Sequence, residues 1–163
     1  MPDLGPNQSL IDIPGSRRAL ITPALVLDLD AFEKNLATHA KFCGEAGLRS
    51  RPHAKTHKCS EIANRQIAAG AVGVCCATLH EATVMVEAGI SGVLITSPIV
   101  GAAKVNRLVE LNKKADKLKI VADNSTNISD LADTAGRENV LLDVLIDIDI
   151  GMHRTGVHAA DEI

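Results

Sequence analysis

Residues 51–58, RPHAKTHK, gather an arginine, two histidines and two lysines without one acidic side chain. Three chemistries use groups of that kind. A lysine buried among other cations can serve as an amine nucleophile, because desolvation and like-charge repulsion both disfavour its ammonium form. Arginine and lysine together can hold an anion, including a phosphorylated cofactor. His53 and His57 have the H-x-x-x-H spacing that aligns two imidazoles on a helix around a metal ion.

Pro52 pushes Arg51 toward extended backbone, so the segment reads as a strand, on which alternate residues share a face. Arg49, Arg51, His53, Lys55 and His57 then point one way. On a strand the two imidazoles stand roughly 13 Å apart at about 3.3 Å per residue, which removes a shared metal ion. The helical zinc signature also needs a glutamate between them, where Ala54, Lys55 and Thr56 stand. An exposed basic edge, a Schiff-base lysine and an anion site stay open, and a place inside a βα series argues for burial of Lys55.

A second constellation, DIDIGMHRTGV at 147–157, leaves a strand through Gly151 and delivers His153 and Arg154 just beyond its end. In a barrel Arg154 would enter the same mouth as Lys55; an ion pair of Arg154 with Asp147 or Asp149 is the competing expectation. Gly151 and Gly156 mark tight turns and do not form a phosphate loop. His39, His80 and His158 read as surface or capping side chains. Cys75 and Cys76 alternate faces of one strand and are assigned no chemistry.

The elements that must position these groups form a series. ALVLDL at 24–29 is a strand-like run, and Asp30 with Glu33 has the capping-box spacing that opens a helix with Phe32, Leu36 and Cys43 along one buried stripe. LRSRPHA, VGVCCA, GVLITS, KIVAD and VLLDVLIDIDI then read as strands at 48–54, 72–77, 92–97, 119–123 and 140–150. Helices are expected between them, over about 60–69, 79–88, 101–115 and 126–135, with Thr78 and Glu81 as a second capping box and Gly70 and Gly89 as terminators. Residues 161–163, DEI, begin another helix. Residues 1–21, rich in proline and glycine, read as an extended arm.

Apolar strands alternating with amphipathic helices give an α/β fold with a parallel sheet, doubly wound or a barrel. No G-x-G-x-x-G follows any strand, which disfavours the dinucleotide version. Polar residues gather where strands finish, at Lys55, Thr78, Ser97, Asp123 and Asp149, the face on which barrels build their sites. A closed barrel needs eight strands and about 250 residues, so these 163 residues are expected to be part of a longer protein.

Composition narrows the partners. Two phenylalanines and no tyrosine or tryptophan leave no stacking platform for single-stranded nucleic acid, and a net charge of −3 supplies no basic field. No apolar run reaches the roughly 18 residues of a membrane span. Four cysteines without a C-x-x-C pair suggest reduced thiols and a cytoplasmic protein.

TPALVLDLDAFEKNL at 22–36, RPHAKTHK at 51–58, GVCCATLHEA at 73–82 and DIDIGMHRTGV at 147–157 resemble the D-threonine aldolase and D-serine dehydratase-like group. That group sits among the alanine racemase-type (fold-type III) pyridoxal-phosphate enzymes. The resemblance covers roughly 22–157 and implies a partial (β/α)8 TIM-type barrel over 22–163, of the alanine racemase N-terminal-domain kind. The barrel would begin at RSRPHAK and hold five of eight strands, while the 24–29 strand would pair with a C-terminal β domain outside this chain.

It further implies that Lys55 forms the Schiff base with pyridoxal 5'-phosphate and that Arg154 reaches the ring near its phenolic oxygen, so that His53, Lys55 and Arg154 make up the cofactor set. A divalent metal (Mn, Mg or Zn) would be held by ligands outside this chain. The implied activity is cleavage of D-3-hydroxy amino acids, D-threonine giving glycine and acetaldehyde, by a homodimer. Alternatives are a dehydratase of D-serine or 3-hydroxy-D-aspartate and a non-catalytic pyridoxal-phosphate carrier. Ala77 stands where close aldolase relatives are expected to have a polar residue.

Overall fold

The computed structural model describes residues 5–158, and the expected helix start at 161–163 lies outside them. Two compact units divide the chain, residues 1–35 and 36–163.

In the first unit the proline- and glycine-rich stretch is not the extended arm expected. It folds on itself through two short 3-10 turns, Gln8–Leu10 and Ser16–Ala19. The Asn7 side chain closes the loop, donating to the Ile21 carbonyl at 3.0 Å and accepting the Ile21 N–H at 2.8 Å. One amide thus does for a short segment what a strand partner does elsewhere. The run at 24–28 forms no strand either: it has no ladder partner among the described residues, and Leu25 is fully exposed. The next helix, α1 (Leu29–Glu45), is capped by Asp28, whose Oδ1 accepts the Ala31 N–H at 2.9 Å, two residues earlier than the Asp30–Glu33 spacing suggests. Its stripe of Phe32, Leu36 and Cys43 is half-buried, not buried.

The second unit contains β1 (Cys75–Cys76), β2 (Leu94–Ile95), β3 (Lys119–Ala122) and β4 (Asp143–Ile146), all parallel and in the order β1-β2-β3-β4. Sequence order preserved across the sheet, without the reversal of a doubly wound fold, is the arrangement of a barrel wall. Helices α2 (Ser60–Ala68), α3 (Leu79–Glu87), α4 (Ala102–Asn112) and α5 (Ser125–Arg137) connect or follow the strands as the periodicity predicts. The fold is therefore α/β and a partial barrel.

Alternation sets the layers. Cys76, Ile95, Ile120 and Ala122 are at most 2% exposed and lie in one apolar cluster with Val105 and Leu108 of α4 and Leu131 of α5. Thr78 opens α3 by accepting the Glu81 N–H at 3.2 Å, and the Glu81 carboxylate reaches back to the Ala77 N–H at 2.7 Å, one residue before the position of a standard capping box. Gly70 (φ +105°) and Gly89 (φ +79°) end α2 and α3 in the left-handed region, as expected of C′ glycines.

Candidate active site

The basic strand is shorter than its pattern suggests. The Ser50 carbonyl accepts the Val72 N–H at 2.9 Å and the Pro52 carbonyl accepts the Cys75 N–H at 2.8 Å, and one parallel bridge joins His53 to Cys75. Beyond His53 the backbone turns into a 3-10 helix, Ala54–Thr56. The turn forms because the His53 ring accepts the Lys55 N–H on Nδ1 at 3.3 Å and the Thr56 hydroxyl donates to the His53 carbonyl at 3.0 Å, both local bonds that compete with a ladder. Alternation therefore stops at His53, and His53, Lys55 and His57 do not line one strand face.

Ala54 is buried, whereas Lys55 is exposed, contrary to the burial expected for a strand covered on both sides. The lysine thus follows the C-terminal end of the strand, in the 3-10 turn, and is exposed.

His53 has a definite tautomer. With Nδ1 accepting from Lys55, the ring proton sits on Nε2, which faces Thr96 Oγ1 at 3.3 Å; that hydroxyl in turn donates to the Cys76 carbonyl at 3.1 Å. Burial, and then the Lys55 ammonium, lower the His53 pKa below its usual 6.5, against smaller opposing effects of Glu81 and the Cys75 backbone. The imidazole is neutral near pH 7 and both nitrogens are occupied. Its role here is to hold the turn that presents Lys55. His57 engages a different partner, accepting the Cys59 N–H on Nδ1 at 3.1 Å.

Arg51 donates to the Gly92 carbonyl. Gly73 (φ +139°) and Gly92 (φ +71°) leave the room, since a Cβ on Gly73 would strike that carbonyl. Cys75 Sγ donates to the Arg51 carbonyl at 3.5 Å, and burial pushes the Cys75 thiol up and the Cys76 thiol up to about 12, so neither is a nucleophile. At the ends of β1 and β2 a cleft of about 440 Å³ opens between Thr78, His80, Ser97, Lys104 and Arg107.

The second constellation follows β4. Asp147 N–H bonds the Ala122 carbonyl at 2.9 Å, and a return bridge pairs Ile148 with Val157. Asp123 Oδ2 accepts the Gly156 N–H at 3.0 Å, and Gly156 (φ +97°) rests on the backbone of residues 147–149, where a Cβ would come within 2.5 Å of the Asp149 nitrogen. Arg154 is exposed and pairs with neither Asp147 nor Asp149 among the described residues. Asp149 instead faces His153 and His158, each through Nδ1 at 3.2 Å. Spacing alone missed this trio, because His158 becomes its neighbour only through the return bridge. It also missed Thr96, hidden at the end of an apolar run.

The chain resembles known proteins over most of its length. It is 41% identical over 145 residues to D-threonine aldolase from an Arthrobacter species, a match covering 88% of this chain and 38% of that protein. The crystal structure of D-threonine aldolase from Filomicrobium marinum superposes with a TM-score of 0.84 at 47% identity, over 87% of this chain and 38% of that one. D-threo-3-hydroxyaspartate dehydratase from Delftia sp. HT23 superposes with a TM-score of 0.79 at 33% identity, over 87% of this chain and 37% of that one. The chain thus spans about two-fifths of the length of the curated relatives it matches. The family model described as "Alanine racemase, N-terminal domain" matches residues 27–163, and with strands, helices and mouth arranged as above, the chain belongs to that family.

Proposed function

We propose that this chain carries the amine-bearing part of a pyridoxal-phosphate site in an enzyme that cleaves D-3-hydroxy amino acids, D-threonine giving glycine and acetaldehyde. The observation that carries the reading is Lys55 at the C-terminal end of the first barrel strand, in a chain whose relatives include D-threonine aldolases. The residues fit such a group: an exposed primary amine on an open mouth, a neutral histidine fixing its backbone, and a second cation, Arg154, on the loop after β4.

When bound, pyridoxal phosphate supplies an electron sink for bond cleavage at the substrate α-carbon. The chain's own contribution is positional. Lys55 offers its amine from a turn held by His53, and His53 is held in turn by Thr96 and the Cys76 carbonyl. With both ring nitrogens engaged, His53 is a positioning residue and not the proton carrier. Arg154 supplies a permanent positive charge suited to a phenolic oxygen. A homodimer, a divalent metal held outside this chain, and pairing of residues 24–29 with a second domain belong to the same proposal.

The test begins with covalent trapping. Borohydride reduction in the presence of pyridoxal phosphate, followed by peptide mass mapping, is expected to place a phosphopyridoxyl group on Lys55 and to lose it in Lys55→Ala. Label distributed over other lysines, or absent from full-length protein, overturns the assignment. Full-length protein given D-threonine and a divalent metal should release glycine; ammonia without glycine would move the activity to dehydration.

A further inference from the structure

The loop after β4 holds a cluster that the amine site does not use. We infer that Asp149, His153 and His158 form a binding site for one divalent first-row transition metal ion. One ligand atom from each of the three residues lies within 4.8 Å of the others, with both Nδ1 atoms 3.2 Å from Asp149 Oδ2. Ligands around zinc at about 2.1 Å stand roughly 3.4 Å apart in a tetrahedron, so the two nitrogen-to-oxygen separations are already near that value.

The decisive atom is Asp149 Oδ2. The side chain is 1% exposed, and this oxygen is buried without a hydrogen-bond partner. A buried carboxylate oxygen left in that condition costs free energy, and a cation seated between it and the two imidazoles removes the cost. Neither imidazole contact has the geometry of a hydrogen bond, although both nitrogens face the oxygen. The two rings stack at 5.7 Å with 29° between planes, so both present their Nδ1 edges to the same point.

Backbone structure holds the set together. The Ile148–Val157 bridge places His158 beside Asp149, the Gly151 N–H fixes Asp149 Oδ1 at 2.8 Å, and a left-handed His153 (φ +54°) wraps the loop over the carboxylate. Two nitrogens and one carboxylate oxygen suit zinc, cobalt, nickel or copper better than the all-oxygen shells of magnesium and calcium. His153 and His158 are 77% and 61% exposed, so the remaining coordination positions open to solvent or to an exchangeable ligand.

Cobalt(II) is the probe, because its visible bands report nitrogen ligands and a coordination number below six. Titration of the chain is expected to give one ion per molecule with bands unlike those of aqueous cobalt. His153→Ala and His158→Ala should each weaken binding at least about tenfold, since even second-shell losses cost that much. Both side chains are exposed, so their removal leaves the fold in place. Asp149→Asn, which keeps the contact to Gly151, should do the same, and His80→Ala should change nothing. A spectrum matching the aqueous ion, or affinity unchanged by both histidine substitutions, overturns the site whatever becomes of Lys55.

Discussion

A single hydrogen bond decides what His53 can do. Because Nδ1 accepts the Lys55 N–H and Nε2 faces Thr96, protonation must break the bond to Lys55 and release the turn. An unfolded histidine takes up its proton below about pH 6.5, while folded His53 does so only at lower pH. Between those values the unfolded chain binds more protons, so this residue makes stability rise with pH across the window and fall as pH drops through it. The denaturant midpoint should therefore be lower at about pH 5 than at about pH 7.5, and His53→Gln should narrow that difference. An unchanged difference in the variant would mean that other groups set it. Lys55 was legible at this scale as a candidate amine from residue types and alternation together, and only the family resemblance preferred a Schiff base to an anion site. Its exposure was not, because period-two alternation assumes that the strand continues, and two local bonds end it.

At the level of elements, pattern located each βα connection but overestimated strand length. The apolar runs at 72–77 and 92–97 hold strands of two residues each, although flanking groups still bond across the sheet, the Val74 carbonyl accepting the Leu94 N–H at 2.9 Å and the Val93 carbonyl accepting the Lys119 N–H at 2.8 Å. Hydrophobicity records burial, whereas ladders record backbone pairing, and the two part company at strand ends. Gly73 shows what fixes the register there. Its φ of +139° and the Gly92 carbonyl facing it leave no room for a side chain, while Arg51 bonds that same carbonyl. Gly73→Ala should cost about 1–3 kcal/mol in chemical denaturation, from backbone strain and displacement of Arg51. A change below that range would show that the strands shift freely past each other at this point.

For the second unit, β1 to β3 bury one face against the helices, while β4 stays exposed. Leu108 of α4 is completely buried against the strands, and Leu108→Ala should destabilise by about 2–5 kcal/mol. Leu145 of β4 is 42% exposed, and Leu145→Thr should fall within about 0.5 kcal/mol of the parent. Equal effects of the two would contradict the division. The α/β class with a parallel sheet was legible in the alternation of runs, whereas the choice of a barrel over a doubly wound sheet came from the family resemblance. The trio around Asp149 was not, because it is created by a bridge across eight intervening residues that carry no periodicity. The β4 edge has a further consequence. Every residue of β4 is exposed, and among the described residues only one of its flanks is paired, through β3. A parallel edge with leucine and isoleucine along it is adhesive toward any extended chain, including another copy of itself. Concentration and time then become variables of handling for this chain.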